Sequence, residues 1–246
     1  MKYIFGNWKE NNTLSDVNAY IKEFKKQSLP TDVHYGLAVP YLYLQKMNKK
    51  LSKKCEIGVQ NVSFSEKGEY TGEISAKMLS DFSCSFSLVG HSERRQKFKE
   101  TNEEINQKVL MCFENGIMPI LCVGETKQEK DEGKTKKVLK TQLTKGLSGI
   151  PLSKQFIVAY EPVWAIGTGL TPTPKEIEEN IKYVKKVLEE NIKKIGITVL
   201  YGGSVNPQNA KELLNASCVD GALVGGASLN AKKFVDIGKN LANVRR

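Results

Sequence analysis

The stretch Phe156-Ile157-Val158-Ala159-Tyr160-Glu161-Pro162-Val163-Trp164-Ala165-Ile166-Gly167-Thr168-Gly169-Leu170 reads as a strand, a loop and the approach to a helix. Its first five residues are apolar and β-prone, and they stop on a carboxylate. Pro162 follows at once, and its ring removes the N–H that a central strand needs. After the Gly-hinged loop, Thr173 supplies an N-cap, Pro174 suits the first helical turn and Glu176 completes a capping box. Glu161 is therefore expected at the C-terminal tip of a buried strand, under a loop whose Trp164 and Ile166 can fold over it. Burial disfavours the charged form of a carboxylate, which suits it to general-base work. The competing reading is a strand-end Glu that merely caps or pairs with a neighbour.

Outward from this unit the same alternation repeats. Short β-rich runs are expected at 2–8, 35–40, 56–60, 86–90, 118–123, 156–161, 197–201 and 219–224. Their spacing of about 30 residues is the size of a βαβ unit. Several are almost continuously apolar, as strands covered on both faces are. Between them lie helical stripes. Thr13 and Asp16 open one carrying Val17, Tyr20, Ile21 and Phe24. Thr101 and Glu104 open another with Ile105, Val109, Cys112 and Phe113, stopped by Gly116. Ile177, Ile181, Val184, Leu188 and Ile192 make a third, and Pro207 opens a shorter one. No linker divides the chain, so residues 1–246 are expected to form a single α/β domain, a closed (β/α)8 barrel of eight parallel strands inside a ring of helices. Periodicity cannot by itself close a barrel, and an open doubly wound sheet stays in play.

Composition narrows the function classes. No run approaches the roughly 18 apolar residues of a membrane helix, and the opening residues do not read as a signal peptide. Five cysteines without motif spacing read as free thiols of a reducing, cytoplasmic compartment. The formal charge of +10 raises the question of a polyanionic partner. The lysines, however, are spread along helical faces (Lys22, Lys25, Lys26, Lys182, Lys185, Lys186, Lys193, Lys194) with Glu interleaved, as on a solvated surface. Nucleic acid and membrane are not expected partners.

Barrel enzymes build their sites at the C-terminal ends of the strands. The first run ends in Asn7-Trp8-Lys9, the fourth in Gly90-His91-Ser92-Glu93 and the sixth in Glu161. The seventh runs into Gly202-Gly203-Ser204, and the eighth into Gly225-Gly226. Glycine pairs after the last two strands, with Gly167 in the preceding loop, suit phosphate held on backbone N–H groups. Each pair alone is equally a tight turn. His91 leads into a helical turn, where imidazolium is disfavoured, so it suits a neutral donor to a carbonyl oxygen. Lys9 adds a fixed positive charge and Asn7 an amide donor. Glu93 is expected to pair with Lys9, and His34 to lie at the opposite mouth in a structural role. A base, a neutral imidazole, an ammonium and a phosphate cradle suggest proton abstraction beside the carbonyl of a small sugar phosphate, through an enediolate, without cofactor. The cysteines and the two histidines show no metal-ligand spacing.

These motifs resemble the triosephosphate isomerases from end to end. The matching stretches are residues 6–9, 60–61, 70–73, 89–95, 121–126, 159–169, 201–205 and 220–229. The resemblance implies glycolytic interconversion of dihydroxyacetone phosphate and glyceraldehyde 3-phosphate, and the family is itself a standard illustration of a carboxylate base paired with a neutral imidazole. It implies Glu161 as base, His91 as electrophile and proton shuttle, and Lys9 and Asn7 as contacts to substrate oxygens. It implies phosphate contacts from Gly167, Ser204, Gly225 and Gly226, and a closing lid over 162–170 that keeps out water and suppresses phosphate elimination. It also implies a homodimer in which the 60–73 loop of one subunit braces the partner's Lys9 and His91. The chain departs from the family pattern at Glu10 and Glu69 near that interface, at Leu170-Thr171-Pro172 beside the lid's far hinge, and at Thr198. Two other readings compete: a Schiff-base aldolase using Lys9, which lacks a neighbouring cation to free its amine, and a basic polyanion binder, whose basic residues lack interleaved aromatics.

Overall fold

Nearly continuous apolar strands must be covered on both faces, and the chain meets that demand by closing on itself. The computed structural model describes residues 1–167 and 170–242. Its strands are β1 (Lys2–Asn7), β2 (Val33–Val39), β3 (Glu56–Val59), β4 (Phe86–Val89), β5 (Met118–Val123), β6 (Ile157–Tyr160), β7 (Thr198–Tyr201) and β8 (Gly221–Val224). Each pairs in parallel with the next, and β8 returns to β1 with Tyr3 opposite Gly221, so the barrel is closed and the open-sheet alternative falls away.

Between the strands run α1 (Leu14–Lys26), α2 (Leu44–Leu51), α3 (Ala76–Ser80), α4 (Ser92–Lys97), α5 (Asn102–Glu114), α6 (Lys127–Asp131), α7 (Thr135–Gly146), α8 (Pro174–Ile192), α9 (Ala210–Leu213) and α10 (Ala231–Ala242). Local chemistry accounts for their starts. Capping boxes form at Thr13 with Asp16, at Thr101 with Glu104 and at Thr173 with Glu176, with Pro174 in the first turn of α8. The expected stripes face inward, except that Ile192 is half-buried and Val187 joins the buried side of α8. The segment after Pro207 is a turn that becomes helical only at Ala210.

The strand limits differ from the expected ones by a residue or two, for nameable reasons. Pro40 has no N–H with which to continue β2, and Gly90 leaves β4 at φ +69°. Lys9 leaves β1 with φ +52°, a region an L-residue rarely occupies.

Two apolar layers result. Phe5, Phe86, Leu88, Ile120, Ala159 and Leu200 fill the barrel, and a larger layer lies between strands and helices. Phe5 and Phe86 meet edge-to-face at 4.8 Å, and Gly36 permits it, because a Cβ there would lie 2.4 Å from the Phe5 ring. His34 sits near the start of β2 at the N-terminal mouth, as expected, with its Nε2 3.2 Å from Glu56 Oε1. Helical lysines pair with carboxylates, Lys182 with Glu178 one turn away at 2.6 Å and Lys185 with Asp220 across the fold at 2.7 Å.

Candidate active site

At the C-terminal mouth, the ends of β1, β4, β6, β7 and β8 surround a cavity of about 410 Å³. Asn7, Lys9, His91, Glu161, Gly167, Ser204, Gly225 and Gly226 all line it, so every candidate residue opens on one space.

The sequence after β1 makes an abrupt corner. Lys9's left-handed backbone is held from both sides, its N–H donating to Asn7 Oδ1 at 2.9 Å and its carbonyl accepting from Gln60 Nε2 at 2.8 Å. Strain at such a residue persists only where its surroundings enforce it. Its ammonium reaches Glu93 Oε1 at 2.7 Å, the expected ion pair. Burial pushes the Glu93 carboxyl up, but the hydrogen bond and the charge of Lys9 outweigh it and hold the group below the ordinary carboxylate range.

His91 is the N-cap of α4. The Glu93 backbone N–H donates to His91 Nδ1 at 3.2 Å. An imidazole nitrogen that accepts a hydrogen bond carries no proton, so the ring's hydrogen belongs to Nε2. Nε2 in turn lies 3.2 Å from Glu161 Oε1. The other oxygen, Oε2, accepts from the Ser92 backbone N–H at 3.3 Å. Both side chains are buried.

Glu161 depends on two glycines for room, a part distinct from the phosphate turn expected at Gly202 and from the matching stretch that holds Gly124. A Cβ on Gly202 would stand 2.8 Å from Glu161 Cγ, and one on Gly124 would stand 1.7 Å from the Glu161 carbonyl oxygen. Gly225 and Gly226 are different: among the described residues, a Cβ on the first would meet only Lys9 Cε, at 3.8 Å, and one on the second would meet nothing within 4 Å. Their missing side chains leave cavity rather than relieve packing.

The loop after β6 is anchored before it reaches the cavity. The Trp164 Nε1–H donates to Glu125 Oε1 at 2.9 Å, and the Tyr160 hydroxyl meets the same oxygen at 3.2 Å. Burial raises the Glu125 carboxyl above its usual range. Ser204 Oγ donates to the Ala165 carbonyl at 2.8 Å, tying the loop to the glycine pair after β7. Gly167 turns at φ +70°. Thr168 and Gly169, within the expected lid, lie outside the described residues. Glu125 appeared in the sequence only as part of a matching stretch; its tie to Trp164 joins residues 39 apart and has no local signal.

The chain matches a model of the triosephosphate isomerase family over residues 2–241. It is 44% identical over 241 residues to a triosephosphate isomerase of Alkaliphilus metalliredigens (strain QYMF), covering 95% of this chain and 97% of that one. It is 44% identical over 245 residues to one from Dictyoglomus turgidum, with 96% and 98% covered. A third, from Mesomycoplasma hyorhinis, is 42% identical over 240 residues, with 95% and 96% covered. A closed parallel barrel, a strand-end carboxylate facing an N-cap imidazole and this end-to-end similarity agree: the chain belongs to the triosephosphate isomerase family.

Proposed function

We propose that the protein is a triosephosphate isomerase that interconverts dihydroxyacetone phosphate and D-glyceraldehyde 3-phosphate through an enediolate, with Glu161 as base and His91 as electrophile. The observation that carries the assignment is the orientation of His91. With Nδ1 engaged by the Glu93 N–H, the Nε2 hydrogen points into the cavity beside the Glu161 carboxylate.

In the proposed reaction the substrate carbonyl oxygen takes the hydrogen bond from His91 Nε2. Glu161 removes the proton from the adjacent carbon, and the electrons pass to the carbonyl oxygen as the enediolate forms. His91 then moves a proton between the two oxygens, and Glu161 returns its proton to the neighbouring carbon. The Lys9 ammonium stabilises the developing negative charge, and Asn7, whose Oδ1 is occupied, offers its Nδ2 hydrogens. Gly167, Ser204, Gly225 and Gly226 hold the phosphate, and the loop 162–170 covers it. The Lys9–Glu93 pair also speaks against the aldolase reading, because an ammonium held by a carboxylate has no lone pair with which to attack a carbonyl.

The same reading includes a homodimer. A second cavity of about 420 Å³ beside Lys9 and His91 is bordered by Gln60, Glu73, Arg94 and Phe98. Tyr70, Met78, Phe82 and Phe98 are exposed apolar side chains on the neighbouring segments, which suits a surface covered by a second copy. A sedimentation experiment giving only monomer at micromolar concentration counts against it. No described helix is long and apolar enough to cross a membrane, and the cytoplasm is the compartment this reading assigns. The decisive experiment is a coupled assay following glyceraldehyde 3-phosphate formed from dihydroxyacetone phosphate; a purified, folded protein with no turnover ends the proposal.

A further inference from the structure

Trp164 is gripped twice by one short segment. Glu125 accepts its indole N–H at the ring edge, and Lys130 Nζ lies 3.6 Å from the ring centroid. The two residues flank the start of α6, whose first turn is set by a capping box between Thr126 and Glu129. The same Lys130 ammonium also reaches Glu176 Oε1 at 3.0 Å. Glu176 Oε2 meanwhile accepts from the Thr173 backbone N–H at 2.8 Å and from its hydroxyl at 3.1 Å, closing the capping box that begins α8. Trp164 stands at the front of the loop between Glu161 and α8, and Thr173 stands at its rear. One cation outside the cavity therefore joins both ends of the loop.

We propose that Lys130 is a positioning residue for the isomerisation. It ties the first turn of the loop to the helix start behind it, and so sets how Ile166 and Gly167 are presented to the cavity; this rests on the isomerase reading above. The physical basis is twofold. A cation over an indole face is attracted by the ring quadrupole. A carboxylate fixed by a backbone N–H offers the cation an anion that does not wander, and Glu176 is held below its ordinary range first by the Thr173 N–H and then by Lys130. Lys130 and Glu176 keep 32% and 40% of their side chains exposed, so water weakens the tie and the effect is modest.

The test uses the full protein labelled with 5-fluorotryptophan. Trp8 and Trp164 are its two tryptophans, and Trp8, fully buried with its N–H donated to the Ser228 carbonyl, is the internal reference. Lys130→Met keeps the aliphatic stem and removes the charge, whereas Lys130→Arg keeps a cation able to stack and pair. In Lys130→Met the Trp164 fluorine resonance is expected to shift while that of Trp8 stays. KM for dihydroxyacetone phosphate should rise about 2–5-fold with kcat within about twofold, the scale of a partly exposed cation contact, and Lys130→Arg should restore both. A stationary Trp164 resonance, a joint shift of Trp8, or a KM change that arginine does not reverse overturns the proposal. A parent enzyme without isomerase activity would instead sink the functional reading, and the fluorine comparison would still decide whether Lys130 holds the indole.

Discussion

The two histidines occupy opposite mouths of one barrel, and each has its Nε2 3.2 Å from a glutamate oxygen. Judged by that distance, they are the same interaction. Yet the His34 side chain is 33% exposed, and it packs at an angle beside the rings of Tyr3 and Phe5. The His91 side chain is 7% exposed, caps a helix, has its second nitrogen already committed and borders a glycine-lined cavity. Water screens the first pair to a value of about 0–1 kcal/mol. The second is buried and oriented, so that a hydrogen bond to the proposed substrate would meet less competition from solvent. Separation alone does not distinguish the proposed catalytic pair from the other one; burial and the engagement of the remote nitrogen do.

The most severe way to break this contrast is at the carboxylates. Glu161→Gln should lower kcat by about 10²–10⁴, the usual share of general-base catalysis, while Glu56→Gln should stay within about twofold because an exposed pair contributes little. A Glu161→Gln enzyme within tenfold of the parent, with unchanged circular dichroism, would refute the base assignment. Next come the imidazoles. His91→Asn should cost about 10²–10³ in kcat and slow solvent exchange of the transferred proton, read by mass spectrometry of product formed in deuterated water. His34→Asn should leave both untouched.

A milder change sharpens the contrast without removing a functional group. Gly202→Ala places a methyl 2.8 Å from Glu161 Cγ, and displacing a base by a fraction of an ångström should cost about 10-fold or more in kcat. A crystal structure of the variant showing Glu161 in place, together with normal turnover, would contradict it. The smallest effect concerns acid stability. The folded-state pKa of Glu93 is depressed, so its contribution is present above the unfolded-state value near 4.5 and is lost as pH falls through the lower folded value. Glu93→Gln should flatten that acid limb by less than about 1 kcal/mol, because the pair is partly exposed. Urea titrations at pH 7 and pH 4 measure the difference, and an identical pH dependence in the two proteins would remove Glu93 from the account.

The parts of the molecule legible in the sequence are those whose causes are local. The capping boxes at Thr13, Thr101 and Thr173 involve residues three apart, and all three form. The box at Thr126 does not stand out in the sequence, because α6 spans only Lys127–Asp131 and carries no apolar stripe. Glu161, Asn7, Lys9 and His91 could be placed by strand-end position alone, since parallel strands in a barrel send all their C-terminal ends to one mouth. Contacts across the fold had no such signature. Gly202 looked like half of a phosphate turn, but its want of a side chain also makes room for a residue 41 positions earlier. The buried contact of Lys108 with Glu100 and with Asn61 Oδ1, shared on Glu100 by Arg94, is likewise assembled only when helix and loop meet.

The pairing of Tyr3 with Gly221 joins residues near the two limits of the barrel. Glu161 and His91 follow its middle strands, but the glycines at 225 and 226 arrive only with the last strand. During synthesis, a chain still lacking that strand holds Glu161 and His91 without all of the proposed anchor for the charged end of the substrate. If those glycines hold the phosphate as proposed, turnover awaits docking of the final strand against the first, a long-range closure of the kind that slows folding. In a refolding time course, recovered activity would accordingly report that last closure rather than the earlier gain of helix.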